Sequence, residues 1–243
     1  MFSNIHVPTF GKSTPSSTTH ESDSDNEHHR GAPLDVQTGR VDLLNEDVPF
    51  RLIPEDRRKR MVVAITGATG ITIAIRLLQA LRAIDVETHL IMSKWAGTTL
   101  KYETDYSVAE VKALADFAYS FSDVAAPPSS GSFILDGMFI VPCSMKTLAA
   151  VRIGLGDELI ARAADVCLKE NRKLLLAVRE MPLNEIHLEN MLAMRRAGAV
   201  IFPPVPAYYI RPKSLQDLTD QTVGRMLDAF GIHTTGFERW KDS

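Results

Sequence analysis

The charge pair Arg179-Glu180 stands directly after an apolar run, KLLLAV at 173–178. In open α/β sheets ligands bind beyond the carboxyl ends of the strands, so such a pair faces the ligand crevice. A carboxylate there can protonate a leaving group, its pKa set by burial and neighbouring cations. A structural ion pair is the plainer use of the same residues. Arg162 and Lys169, seven positions apart in RAADVCLK, fall on one helix face and can hold an anion between them, or form a solvated face. Gly67-Ala68-Thr69-Gly70 follows another apolar run and offers free N–H groups and close backbone approach to a phosphate. It lacks the GxGxxG spacing of a dinucleotide fold and serves equally as a tight strand-to-helix turn. Ser144 and Thr147 repeat the theme in PCSMKT (142–147), where hydroxyls and N–H groups open a helix; capping is their plainer use. Lys146, in the same loop, can touch a phosphate or stay solvated. Cys143 has no His near it in sequence and reads as a packed thiol rather than a nucleophile. Tyr209 closes the proline-set stretch PPVPAYY (203–209), where its hydroxyl can meet a phosphate or its ring a cation. Arg225, further on, is an anion ligand or a surface charge.

These residues sit at the joints of an alternating pattern. Runs at 61–66 (MVVAIT), 86–92 (VETHLIM), 137–141 (GMFIV), 173–178 and 199–202 (AVIF) read as five strands. Between and after them 71–84, 95–102, 108–115, 157–168, 186–197 and 214–230 read as helices, the last with Ser214 as N-cap and Gly231 as C-cap. Near-continuous apolar strands alternating with helices give a parallel sheet covered on both faces. The expected fold is a single doubly wound α/β domain, flavodoxin- or Rossmann-like, over 58–243. Its polar loops at 67–70, 93–94, 143–147, 179–180 and 203–211 all fall at strand ends.

The chain has 243 residues, 45% of them hydrophobic and 23% charged, which suits a soluble globular protein. A net charge of -3 gives no global basic field for nucleic acid or an anionic membrane. No apolar run approaches the roughly 18–20 residues of a spanning helix. Two cysteines exclude a disulfide scaffold and suit a reducing compartment. The charge is divided unevenly. Residues 1–57 carry ten Asp or Glu against five Lys or Arg, whereas 58–243 carry 20 against 22. This acidic, polar leader cannot bury enough apolar surface to fold and is expected to be disordered. Residues 1–20 have one Lys, no Arg and no apolar core, so they make a poor presequence, and the compartment stays mitochondrion or cytoplasm. His28-His29 is a minor metal candidate; the sequence carries no metal-ligand spacing.

Taken together, the segments VVAITGATG (62–70), VETHLIMSKWA (86–96), YETDY (102–106), AAPPSSGSF (125–133), MFIVPCSMKTLAA (138–150), LIARAADVCLKE (159–170), REMPLNEIHLENM (179–191), GAVIFPPVPAYY (198–209) and QTVGRMLD (221–228) resemble the UbiX/Pad family of flavin prenyltransferases, in its fungal branch. The resemblance runs in unbroken order over about 59–241. It implies an enzyme that joins a dimethylallyl group to N5 and C6 of reduced FMN, making prenylated FMN for a UbiD-type decarboxylase. It implies FMN binding by Gly67, Ala68, Thr69, Ser93, Ser144, Met145, Lys146, Thr147 and Arg179. Dimethylallyl phosphate or diphosphate would be held by Arg162, Lys169, Tyr209 and Arg225. Glu180 would protonate the leaving group, and Glu103, in the matching ETD segment, would join it as a catalytic residue. No metal is implied, and the assembly is a homo-oligomer, typically a dodecamer with sites at subunit contacts. The chemistry agrees: an allylic phosphate needs cations at its leaving group, and an aromatic wall suits the allyl fragment.

The chain departs from the family at Ile71 and Ala74, where Ala and Gly are usual, at Met181, and over VRIGLG (151–156). The bulk of Ile71 is expected to narrow the flavin site. Two other readings compete. A flavin-dependent cysteine decarboxylase shares the fold but uses a catalytic His and an Asn-rich loop, where this chain has PCSMKT. A non-catalytic regulatory flavoprotein fits the acidic 21–27 segment but has no need of a phosphate-expelling set.

Overall fold

The computed structural model describes residues 52–54 and 56–240. The chain divides into two compact units, Met1–Leu52 and Ile53–Ser243, and every element named here belongs to the second. The expected disordered leader, His28-His29 included, lies almost wholly outside the described residues.

The described residues hold six strands: β1 (Arg60–Ile65), β2 (Glu87–Met92), β3 (Phe117–Ser120), β4 (Gly137–Cys143), β5 (Lys173–Val178) and β6 (Val200–Ile201). All pairings are parallel, in the order β3-β2-β1-β4-β5-β6. The strand order reverses between β1 and β4, which is where a doubly wound sheet opens its crevice. Seven helices follow the strands: α1 (Ile71–Ala83), α2 (Lys94–Glu103), α3 (Val108–Ala113), α4 (Met145–Arg152), α5 (Leu159–Lys169), α6 (Glu185–Arg196) and α7 (Leu215–Ala229). Five strands are where the sequence places them. The sixth, β3, escapes the pattern because FAYS is a short edge strand whose side chains are mostly exposed.

Alternation along β1 assigns the two faces. Val63 and Ile65 pack with α1, α2, α3 and α7, whereas Val62 and Ala64 pack with α4 and α5. The α1 sequence ITIAIRLLQALRA buries Ile71, Ala74, Ile75, Leu77, Leu78 and Leu81, a stripe at helical spacing. Each fully buried Leu or Ile contributes about 1.5–3 kcal/mol of transfer free energy. On the second face of β2 and β3, His89, Tyr119 and Phe133 form an aromatic cluster: His89 stacks on Tyr119 at 5.9 Å and meets Phe133 edge-on at 5.2 Å. Inside it the His89 ring is bonded on both nitrogens, to Tyr119 Oη and Glu87 Oε1, each at 3.0 Å.

Candidate active site

The crevice between β1 and β4 is held by one buried hydroxyl. Thr66 Oγ1 donates to the Pro142 carbonyl at 2.6 Å and accepts from the Ser144 N–H at 3.0 Å, tying the two strand ends together. Ser93 N–H donates to the Ile65 carbonyl and Arg179 N–H to the Cys143 carbonyl, so β2 and β5 are joined to the same row. The polar loops are thus fixed laterally through main chain.

Each loop opens a helix for a local reason. Ser93 caps α2 by accepting from Ala96 N–H, and Ser144 caps α4 by accepting from Thr147 N–H. Gly70 begins α1 in the left-handed region (φ 103), with no side chain to cap it. Glu103 supplies the cap instead: Oε2 accepts the Gly70 and Ile71 N–H groups at 2.9 Å each. The structure therefore gives Glu103, expected among the catalytic groups, the task of holding the glycine turn. It also takes Gly70 and Ile71 out of the set of N–H groups available to an anion. Those of Gly67, Ala68 and Thr69 carry no intramolecular partner among the described residues.

A cavity of about 270 Å³ opens at this row. Thr66, Gly67, Ser93, Ser144, Lys146 and Thr147 form its polar wall, and Trp95, Ala150, Leu155, Ile160 and Ala161 its apolar one. Lys146 Nζ lies 3.6 Å from Glu158, which with Asp157 also borders the cavity. Gly67 is required: a Cβ there would lie 2.5 Å from the Trp95 Cβ. A donor-rich wall facing an apolar one, with two helix N-termini beside it, fits the phosphate and ring of a flavin mononucleotide.

The other expected residues lie apart from this cavity. Arg179 and Glu180 follow β5, exposed, and form no ion pair with each other or with any other described residue. Among the described residues the Glu180 carboxylate accepts only the Met181 N–H, at 3.1 Å. Arg162 and Lys169 lie on α5 and each has an acidic neighbour: Arg162 pairs with Asp165 at 2.7 Å and donates to the Ser129 carbonyl at 3.1 Å, and Lys169 pairs with Glu170. Tyr209 and Arg225 line a separate groove with Phe202, Pro203, Val205 and Pro206. One chain brings together the row at the sheet and, separately, the Tyr209–Arg225 pair.

Two expectations change and one is kept. Ile71 is fully buried in the core between α1 and the sheet, so its bulk does not narrow the cavity. Met145 packs on the core behind α4 rather than lining the cavity. Cys143 is fully buried, and burial pushes its thiol up to about 12, which leaves it inert as a nucleophile. The sequence reading missed Thr66, Trp95 and Leu155. Trp95 had a signal in the glycine opposite it, and Leu155 in the atypical 151–156 stretch; Thr66 looked like the last residue of a strand.

Among the described residues no group of His, Cys, Asp and Glu could hold a metal ion, and no helix is long and apolar enough to cross a membrane. The profile of the flavoprotein family matches residues 51–231. Flavin prenyltransferase PAD1, mitochondrial, of Saccharomyces cerevisiae is 61% identical over 198 residues, covering 82% of each chain. The crystal structure of AnUbiX (PadA1) in complex with FMN and dimethylallyl pyrophosphate superposes with a TM-score of 0.76 at 62% identity, over 77% of this chain and all of that one. The dodecameric FMN-dependent UbiX-like decarboxylase of Escherichia coli O157:H7 gives 0.74 at 54% identity, over 75% and 99% of the two chains.

Proposed function

The chain belongs to the flavoprotein family, and from its UbiX-like flavin prenyltransferase relatives we propose the reaction it performs: transfer of a dimethylallyl group from dimethylallyl phosphate or diphosphate to reduced FMN. Reduced FMN, when bound there, would supply the nucleophilic N5 and the C6 carbon that the dimethylallyl group joins, and the product would serve a UbiD-type decarboxylase. The observation that carries this reading is the cavity at the β1–β4 reversal, with main-chain N–H groups and hydroxyls on one side and Trp95 on the other.

In this reading the turn at Gly67, Ala68 and Thr69, the caps Ser93 and Ser144, and Lys146, Thr147 and Arg179 hold the flavin and its phosphate. Met145 sets the start of α4 from the core side, and Glu103 holds the glycine turn in place through Gly70 and Ile71. Glu180 protonates the leaving phosphate, a role supported by its having no ion pair among the described residues. Arg162, Lys169 and Arg225 neutralise that phosphate, and the Tyr209 hydroxyl donates to it, as the allylic bond breaks. Arg162 and Lys169 line neither the cavity nor the Tyr209 groove, which supports a site completed by neighbouring copies in a homo-oligomer, dodecameric like the E. coli relative. The two competing readings give way to relatives named flavin prenyltransferases at 52–61% identity. The yeast relative is mitochondrial by name and others are bacterial, so both mitochondrion and cytoplasm stay open for this chain.

The test is direct. Purified protein with reduced FMN and dimethylallyl phosphate or diphosphate should yield prenylated flavin by mass and absorption spectrum; FMN-loaded protein inert with both donors sinks the reading. Glu180→Gln should keep FMN and slow turnover by about 10²–10⁴-fold, and unaltered turnover would remove Glu180 from the mechanism.

A further inference from the structure

A carboxylate to which the sequence reading gave no role gathers the last of the described residues. Asp228 lies three residues after Arg225 near the end of α7, with only 9% of its side chain exposed. It accepts from Arg225 Nη1 at 2.9 Å, from His233 Nδ1 at 2.9 Å and from Arg239 Nη2 at 2.7 Å. Burial alone would raise its carboxyl; the hydrogen bonds from His233 and Arg239, the Arg239 charge and the Arg225 bond bring it below the ordinary value. The carboxylate therefore stays ionised and faces three basic side chains.

The segment that brings His233 and Arg239 here doubles back over α7. Gly231 turns the chain in the left-handed region (φ 71). Phe237 then lies against Gly224, where a Cβ would come within 2.2 Å of the ring. Arg239 stacks on Phe237 at 4.1 Å and donates to the Thr234 carbonyl at 2.9 Å. Trp240 meets the Tyr209 ring edge-on at 5.3 Å, and Gln221 donates to the Tyr209 hydroxyl at 3.1 Å. Arg225 and Tyr209, which share one groove, are thus each held from behind: Arg225 by Asp228, which His233 and Arg239 bind in turn, and Tyr209 by Trp240 and Gln221.

We propose that Asp228 and the strap of residues 232–240 are positioning elements that preset Arg225 and Tyr209 for the donor phosphate. This rests on the reading that those two residues hold the phosphate, and it adds what aims them. A guanidinium has five N–H donors and Asp228 engages one nitrogen, so donors are left for a second anion. An arginine fixed in advance also loses less side-chain entropy when the ligand arrives. Two guanidinium groups against one carboxylate leave the cluster net positive, the sign a phosphate needs.

Three variants test it. Asp228→Asn keeps the shape and removes the charge, and Asp228→Glu restores it. Gly224→Ala improves helix propensity while its methyl displaces Phe237, loosening the strap without touching Arg225 or Asp228. In FMN-loaded protein, Asp228→Asn and Gly224→Ala should each raise KM for dimethylallyl phosphate by about tenfold, with FMN affinity unchanged and partial recovery in Asp228→Glu. A KM unchanged in both variants overturns the proposal, as does an equal fall in FMN affinity, which marks general loosening. Should Asp228→Asn fail to fold, Gly224→Ala decides alone. Should the parent chain turn over neither donor, the underlying reading fails, and titration with inorganic phosphate still judges the strap: weaker binding in Gly224→Ala supports it, equal binding overturns it.

Discussion

The row at the β1–β4 reversal and the groove beside α7 are built by opposite means. In the first, main-chain groups and short hydroxyls do the holding: Thr66 bridges Pro142 and Ser144, and Ser93 and Ser144 cap the helices behind them. In the second, Arg225 and Tyr209 are aimed by long side chains, through Asp228, Arg239 and Trp240. A backbone frame tolerates changes of side-chain chemistry but not of volume, because its atoms cannot step aside. An ionic frame is sensitive to charge as well, and one charge removed releases several partners at once.

The largest effect should come from volume at the first region. Gly67→Ala sets a methyl against the Trp95 Cβ and should weaken FMN binding by about 10–100-fold, corresponding to roughly 1–3 kcal/mol of overpacking; a flavin fluorescence titration giving the parent affinity would break the contrast. Thr66→Val preserves the shape but strands the Pro142 carbonyl and the Ser144 N–H. It should cost about 1–3 kcal/mol in urea unfolding, the usual penalty for orphaned buried groups, and an unchanged midpoint would mean that the bridge is dispensable. In the groove, Arg225→Gln should raise the donor KM by about tenfold and leave FMN retention intact; a matching loss of FMN would show the two regions to be one.

The smallest effect comes from outside both. Burial holds the His89 imidazole below its ordinary value of 6.5, against the opposing hydrogen bond and charge of Glu87. The folded form thus prefers the neutral ring. Its contribution is complete above pH 6.5 and is lost as pH falls through the folded value, with a slope of at most about 1.4 kcal/mol per pH unit. His89→Gln should flatten thermal stability against pH below 6.5 while FMN affinity stays level; an equally steep profile assigns the slope to other groups.

Much of the backbone frame was legible in the sequence, because buried parallel strands are continuous apolar runs and their polar ends stand out. GATG, Ser93, Ser144 and Thr147 fell at strand ends as expected, and Ser214 does cap α7, accepting from Asp217 N–H. Beyond Gly231 the sequence offered no pattern to read. Nothing local says that Phe237 seeks Gly224, or that Arg239 reaches back eleven residues to Asp228. Glu103 is harder still, since its partners Gly70 and Ile71 lie more than thirty positions away and a carboxylate in a motif invites a chemical role. Contacts that depend on how elements meet leave no periodicity to read.

The Thr66 bridge also sets an order of assembly during synthesis. Its partner carbonyl lies 76 residues further along the chain. The first βαβ unit can emerge and pair with its glycine turn in place, yet that turn has no opposite bank until β4 has been made. Closing so long a loop costs conformational entropy before any contact returns it. A chain halted before Pro142 therefore carries half of a binding site. Its most ligand-like sequence is present, and the structure that gives it meaning is not.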